Sequence, residues 1–195
     1  MREDSGEPSL VERARAGDPD AFGELFDLHR DRVFRQAARL TESIHDAEDV
    51  TGMVFLEAWR RRASMRDVDG SVIGWLLVTA NNVSRNFNRA SRRYRHALAG
   101  IPLPEPAPDP SSTVDDHIDF TEARDALRSA LARLPRRDQD ILSLCVIEEL
   151  STAEAASVLN VAPGTVKSRL SRAKARLTGM LGEATEVVAI EGGLR

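Results

Sequence analysis

Ser151-Thr152-Ala153-Glu154-Ala155-Ala156-Ser157-Val158-Leu159-Asn160, followed after Val161-Ala162 by Pro163-Gly164-Thr165-Val166-Lys167-Ser168-Arg169-Leu170-Ser171-Arg172-Ala173-Lys174-Ala175-Arg176-Leu177, reads as two helices joined by a tight turn. Ser151 and Glu154 have the spacing of a capping box, in which hydroxyl and carboxylate each satisfy an orphan amide at a helix start. Ala155, Ala156, Val158 and Leu159 give this first helix a small-residue inner face, and Asn160 tolerates the left-handed conformation that ends a helix. Pro163 suits the first position of the next helix. On that second helix Val166, Leu170, Ala173 and Leu177 fall on one stripe. Lys167, Ser168, Ser171 and Arg172 project from the opposite side, with Arg169, Lys174 and Arg176 on the flanks. Five basic residues and no acidic one lie between Pro163 and Thr178. A capped helix, a turn and a basic exposed face together outline a DNA-reading helix-turn-helix.

Outward from this segment the charge alternates in blocks. The chain of 195 residues has a net charge of −4, yet residues 61–100 carry +6 and residues 101–126 carry −6. Two separated basic blocks imply two contacts with a polyanion. Proline at 102, 104, 106, 108 and 110 cannot continue a helix and favours extended backbone. Residues 99–119 are therefore expected to be an acidic linker between a domain over residues 10–98 and another over 120–180, with a tail at 181–195. The single cysteine excludes an internal disulfide framework and suits a reducing compartment. Cys145 reads as core, among Ile141, Leu144 and Ile147. No apolar run reaches membrane-spanning length and Met1 to Pro8 is polar, so neither anchor nor signal peptide is expected and a cytoplasmic protein is.

The first domain reads as helices throughout, giving an all-α expectation for the chain. A helix from Leu10 to Ala16 should end at Gly17, and Asp18 should cap the next, with Pro19 as its first residue. Phe22, Leu25, Phe26, Val33, Ala37 and Leu40 mark a long amphipathic helix. Another should start at Ser43 or Asp46, bury Ala47, Val50, Val54, Ala58 and Trp59, and end near Ser64. Asp46, Glu48 and Asp49 crowd its first turn, where the helix dipole stabilises negative charge and where a partner could equally dock. A fourth helix, from about Ser71 to Tyr94, places Leu76, Ala80, Val83, Phe87 and Ala90 on one face. Asn81, Arg85, Asn88, Arg89 and Arg92 share the other, amides and guanidiniums being the groups that read bases and hold phosphates.

Leu10-Val11-Glu12-Arg13, Gly17-Asp18 to Phe22, Asp46-Ala47-Glu48-Asp49-Val50, Phe55-Leu56-Glu57-Ala58-Trp59, Trp75-Leu76 with Ala80-Asn81-Asn82-Val83, and Gly164 to Ala173 together resemble a bacterial sigma factor of the extracytoplasmic-function (ECF) group, in the sigma-70 family. The resemblance covers residues 10–98 and 120–180. It implies a first domain that binds core RNA polymerase and the promoter minus-ten element, and a second that reads the minus-thirty-five element. It assigns polymerase contact to Asp46, Glu48, Asp49 and Phe55. The minus-ten set it implies is Asp69, Ser71, Asn81, Asn82, Arg85, Asn86, Asn88 and Arg89, with Asn82 and the loop Asp67 to Ser71 holding a flipped base. Thr165, Lys167, Ser168, Arg169, Ser171, Arg172 and Arg176 would serve the minus-thirty-five element. An anti-sigma factor is a further candidate partner. One departure stands out: Gly52-Met53 occupies the place of the family's common Gln-Glu pair.

Two other classes of function are weighed against this. A self-sufficient helix-turn-helix regulator would need a dimer interface to meet two half-sites, and no heptad marks one. An enzyme would need a constellation that is missing: His29, His45, His96 and His117 are scattered, no pair has metal-ligand spacing, and no phosphate loop or nucleophile motif occurs. No cofactor, metal or catalytic residue is expected.

Overall fold

The computed structural model describes residues 6–98 and 118–192, with side chains described over 6–98 and 125–182. The expected linker lies almost wholly outside the described residues. The order of elements is α1 (Glu7–Ala16), α2 (Pro19–Ala38), α3 (Ile44–Arg60), a 3₁₀ turn (Arg62–Ser64), α4 (Ile73–Leu98), α5 (Ile118–Arg133), α6 (Arg136–Leu142), a π turn (Ser143–Ile147), α7 (Thr152–Leu159) and α8 (Pro163–Gly192). Among the described residues there is no strand, only one isolated bridge between Val68 and Ser71. The fold is all-α.

Local chemistry sets most of the boundaries. Gly17 ends α1 in a left-handed conformation at φ +100°, and Asp18 accepts from the amides of Asp20 and Ala21 at 2.9 and 3.2 Å. Ser43 caps α3 by accepting from Asp46 N at 3.0 Å. The third helix ends at Arg60, short of Ser64. Arg62 turns back there, donating to Trp59 O at 3.0 Å and lying 4.6 Å over its ring. The fourth begins at Ile73, because Glu7 reaches across from α1 to accept from Val72 N at 2.9 Å. The same carboxylate pairs with the buried His29 Nε2 at 2.8 Å. Desolvation lowers the His29 pKa against the raising pull of Glu7. Ser151 and Glu154 close the capping box at 3.2 and 2.6 Å, and Asn160 is left-handed at φ +55°. The eighth helix runs past Thr178 to Gly192 and takes in most of the tail. A glycine within a helix costs about 1 kcal/mol without forbidding it.

Three clusters of buried residues carry the packing, the third and smallest joining Leu134, Leu142 and Ala173. The first joins α1 to α4 through Leu10, Val11, Leu25, Val33, Val50, Val54 and Leu76. Phe55 packs edge-to-face on Phe26 and Phe22 at 4.7 and 6.4 Å, each such pair adding about 0.5–1.5 kcal/mol beyond the area it buries. The second gathers Ile141, Leu144, Ala155, Val158 and Val166, with Cys145 against it. Burial pushes the Cys145 thiol pKa up, as befits a core thiol. Val68 and Val78, from the first half of the chain, pack on this second cluster.

Candidate nucleic-acid interface

The helix-turn-helix presents its basic face as the wheel predicts. Val166 and Ala173 are fully buried, Leu170 and Leu177 partly so, while Lys167, Ser168, Ser171 and Arg172 are exposed. Among the described residues the exposed side chains bond only to their own helix: Ser168 Oγ donates to Thr165 O at 3.1 Å and Arg172 Nε to Ser168 O at 3.2 Å. Both remain available to a groove. Arg176 differs. Its Nη1 donates to Asp138 Oδ2 at 2.5 Å, and that carboxylate is only 8% exposed. An arginine expected to serve the minus-thirty-five element is thus engaged in joining α8 to α6.

The expected minus-ten residues divide into three groups. Asn86 and Arg89 are exposed on α4, and Asn88 donates to Leu40 O at 2.7 Å. Asp69 and Ser71 belong to a two-residue turn in which Val68 and Ser71 exchange 3.0 Å backbone bonds and Asp69 and Gly70 take φ +51° and +80°. Both central residues with positive φ define a type I′ turn. A Cβ at Gly70 would also lie 2.4 Å from Pro8 Cγ, so glycine is required twice over. Arg15 clamps the approach to the turn, donating to Met65 O and Asp67 Oδ1 at 2.6 Å each. This pairing holds the Asp67 carboxyl below its usual range.

The third group is covered. Asn81 is buried; its Nδ2 donates to Asp140 Oδ1 at 2.9 Å and to Ser143 Oγ at 3.1 Å, and its Oδ1 accepts from Gln36 Nε2 at 2.7 Å. Arg85 donates to Gln139 Oε1 at 2.5 Å. Asn82 Oδ1 is buried and, among the described residues, has no hydrogen-bond partner. Desolvation raises the pKa of the Asp140 carboxyl, against the lowering effects of Asn81, Arg136 and Arg85. Sequence reasoning missed Gln36, Gln139, Asp140 and Ser143. The available signal was a glutamine on the same helical stripe as Leu25, Val33 and Ala37, a polar group that needs a buried partner.

On α3, Glu48 and Asp49 are exposed and Asp46 is half-buried. Phe55 is 5% exposed, so its ring supports the helix from the core and does not face outward as the expected contact would. Ile44, Met53 and Leu56 are the exposed large apolar residues described there, at 60%, 45% and 53%. A Cβ on Gly52 would meet no atom within 4 Å. Between the halves lies a cleft of about 710 Å³ lined by Arg61, Arg66, Arg136, Arg137 and Arg169 around Trp75.

These features are those of an all-α protein carrying a helix-turn-helix with an exposed cationic face, and family comparison gives the class. Residues 25–94 match the Sigma-70 region 2 model and residues 124–177 the Sigma-70, region 4 model. The ECF RNA polymerase sigma factor SigM of Mycobacterium tuberculosis (strain ATCC 25618 / H37Rv) is 32% identical over 181 residues, covering 93% of this chain and 87% of that protein. The ECF RNA polymerase sigma factor SigW of Bacillus subtilis (strain 168) is 25% identical over 177 residues, covering 88% and 94%. Among solved structures, CnrH in complex with the cytosolic domain of CnrY superposes with a TM-score of 0.58 at 25% identity, over 91% of this chain and 97% of that one. The chain belongs to the ECF RNA polymerase sigma factors of the sigma-70 family. It is a polymerase-binding factor for promoter-specific initiation, and a regulator acting without polymerase is not favoured. Among the described residues, no helix is long and apolar enough to cross a membrane.

Proposed function

We propose a division of this activity among named residues. The face of α8 formed by Thr165, Lys167, Ser168, Arg169, Ser171 and Arg172 reads the minus-thirty-five element in the major groove. The turn at Asp69 and Ser71, with Asn81, Asn82, Arg85, Asn86, Asn88 and Arg89 on α4, takes the minus-ten element as a single strand, Asn82 holding an unstacked base. The exposed start of α3, Asp46, Glu48 and Asp49, meets core polymerase, and Met53 and Leu56 extend that surface where Phe55 does not. The factor works in the cytoplasm and has no catalytic step of its own. CnrH is described with the cytosolic domain of CnrY, and a protein inhibitor of that kind is a fitting partner here.

The observation that carries this reading is the second helix of the helix-turn-helix. Its apolar stripe is buried against the second and third clusters while its cationic face is left to solvent, with no hydrogen bond among the described residues except to its own backbone. Such a face meets a polyanion without disturbing the fold. Transcription in vitro with core polymerase and a genomic fragment library tests the whole assignment. Asp49→Ala should weaken assembly with core polymerase, and Asn82→Ala should leave assembly intact and slow promoter opening, because base capture offsets an unstacking cost of a few kcal/mol. Identical defects from both changes would reduce the two surfaces to structural roles.

A further inference from the structure

The loop that joins the 3₁₀ turn to α4 and holds Asp67 to Ser71 is gripped from behind by α1. Arg15, in the last turn of α1, donates from Nη2 to Met65 O and Asp67 Oδ1, where the loop begins. At the far end Glu7, the first residue of α1, accepts from Val72 N at 2.9 Å. Between these points the ring of Pro8 lies against Gly70, so close that a Cβ there would strike its Cγ and meet its Cβ and Cδ at 3.2 Å. The grip is itself anchored. Leu10, Val11 and Ala14 bury α1 in the first core together with Met65 and Val72. The Glu7 oxygen that holds Val72 also accepts from His29 Nε2 at 2.8 Å, a side chain of α2 that is only 1% exposed. Backbone pairing within the loop is slight by comparison, a single isolated bridge between Val68 and Ser71, and a lone two-residue hairpin is marginal in water. Asp69 at φ +51° has a conformation that costs an L-residue energy and persists where its surroundings over-determine it. The gripping groups all lie in the first half of the chain, so they travel with the loop.

The Sigma-70 region 2 match begins at residue 25, so α1 lies ahead of it. Resting on the reading of the Asp67 to Ser71 loop as the holder of an unstacked minus-ten base, we propose that α1 is the positioning element of that loop: Glu7, Pro8 and Arg15 fix its two ends and its tip, and minus-ten discrimination depends on them although they touch no base. The effect is one of populations. A loop captures a flipped base only in the fraction of molecules in which it has the right shape, and affinity for the preferred base falls with that fraction. A base that makes no use of the loop loses nothing. Releasing the loop therefore lowers the ratio between the two, which is specificity, and leaves the contacts of α3 and α8 as they are. Glu7 acts in this through the place of one oxygen: a glutamine amide oxygen can accept from the same two donors, and an alanine methyl cannot.

Holoenzymes carrying full-length Arg15→Ala, Glu7→Ala or Glu7→Gln, with Asp69→Ala as the direct lesion of the loop, test this by selection from a promoter library randomised across the minus-ten element, the upstream element being held fixed. Preference is a ratio taken within each assembled holoenzyme, so a variant that folds poorly loses yield and keeps its preference. A merely structural α1 would leave the ratio untouched. Arg15→Ala and Glu7→Ala should flatten the selected sequence at the same position as Asp69→Ala does. The preferred base should lose about tenfold against the others, the factor that a correctly shaped fraction of about one-tenth imposes. Glu7→Gln should select as wild type does, and titration with core polymerase should give wild-type affinity for the three α1 variants. Flattening by Asp69→Ala with wild-type selection by Arg15→Ala and Glu7→Ala would overturn the positioning role and leave the loop as the reader. Glu7→Gln as flat as Glu7→Ala would overturn it too, since the oxygen would then not be what holds the loop. Wild-type selection by Asp69→Ala would instead remove the loop from the minus-ten site, and the positioning role with it.

Discussion

Arg176 offers the sharpest test of how the recognition helix is built, because sequence and structure give it different work. Its guanidinium lies 2.5 Å from an Asp138 carboxylate that is 8% exposed, while the arginine side chain itself is 50% exposed. Losing one partner of a fully buried pair costs about 3–5 kcal/mol, and losing a solvent-exposed pair about 0–1 kcal/mol. The half-exposed guanidinium discounts the first figure. Asp138 also sits in the first turn of α6, where free amides and the helix dipole support a carboxylate. Arg176→Ala should therefore cost about 1–2 kcal/mol, a fall of about 2–8 °C in melting temperature for a chain of this size. Arg172→Ala, on an exposed face, should fall within about 0.5 kcal/mol of wild type. Thermal melts of Arg176→Ala, Asp138→Asn and the double variant should show a coupling of about 1 kcal/mol. If Arg176→Ala melts like wild type and instead lowers the salt slope of DNA binding by about one, the residue is a phosphate contact and the pair with Asp138 does not hold α8 in place.

Three further outcomes follow from the same geometry. Gly52→Ala should stabilise the chain by up to about 1 kcal/mol, since the added methyl meets nothing within 4 Å; a loss of stability in denaturant titration would contradict the open space over α3. Asp140 has its carboxyl pKa raised from the ordinary value of 3.8 by burial, so the folded state binds its proton more tightly than the unfolded one. Stability must then fall as pH rises from that ordinary value through the raised one; the difference in melting temperature between wild type and Asp140→Asn should shift toward the variant over that window, and a flat difference would refute it. Arg172→Ala should relax preference at one or two minus-thirty-five positions by about 1–3 kcal/mol of discrimination; promoter selection with the variant holoenzyme would show an unchanged upstream sequence if that face is not the reader.

Much of the fold is legible in the sequence because its causes are local. Gly17, Asp18, Ser43, the Ser151 and Glu154 pair, Asn160 and Pro163 each act on backbone groups within a few residues, so spacing alone places those helix ends. The apolar stripe of α8 is likewise a property of one helix, and the cationic face opposite it follows from the same periodicity. Boundaries that depend on distant groups are not legible in this way. The late start of α4 follows from Glu7, 65 residues from the amide it accepts from, and the early end of α3 from where Arg62 folds back on Trp59.

Which polar side chains face solvent and which face each other is settled by the packing of distant helices. Periodicity put Asn81 and Arg85 on the wet side of α4, and relative to the first core they are. The second half of the chain then covers them, with Gln36, Gln139, Asp140 and Ser143 supplying the hydrogen bonds that burial demands. Phe55 and Arg176 show the same division: motif position marks both for contact with a partner, yet one ring is buried among Phe22 and Phe26 and one guanidinium is held by Asp138. Sequence determines a helix and its faces because those arise from neighbours three and four residues apart. A contact between residues 62 positions apart, such as Asn81 with Ser143, depends on how whole helices stack, and that is set by the sum of many packing contacts and not by any one residue's spacing.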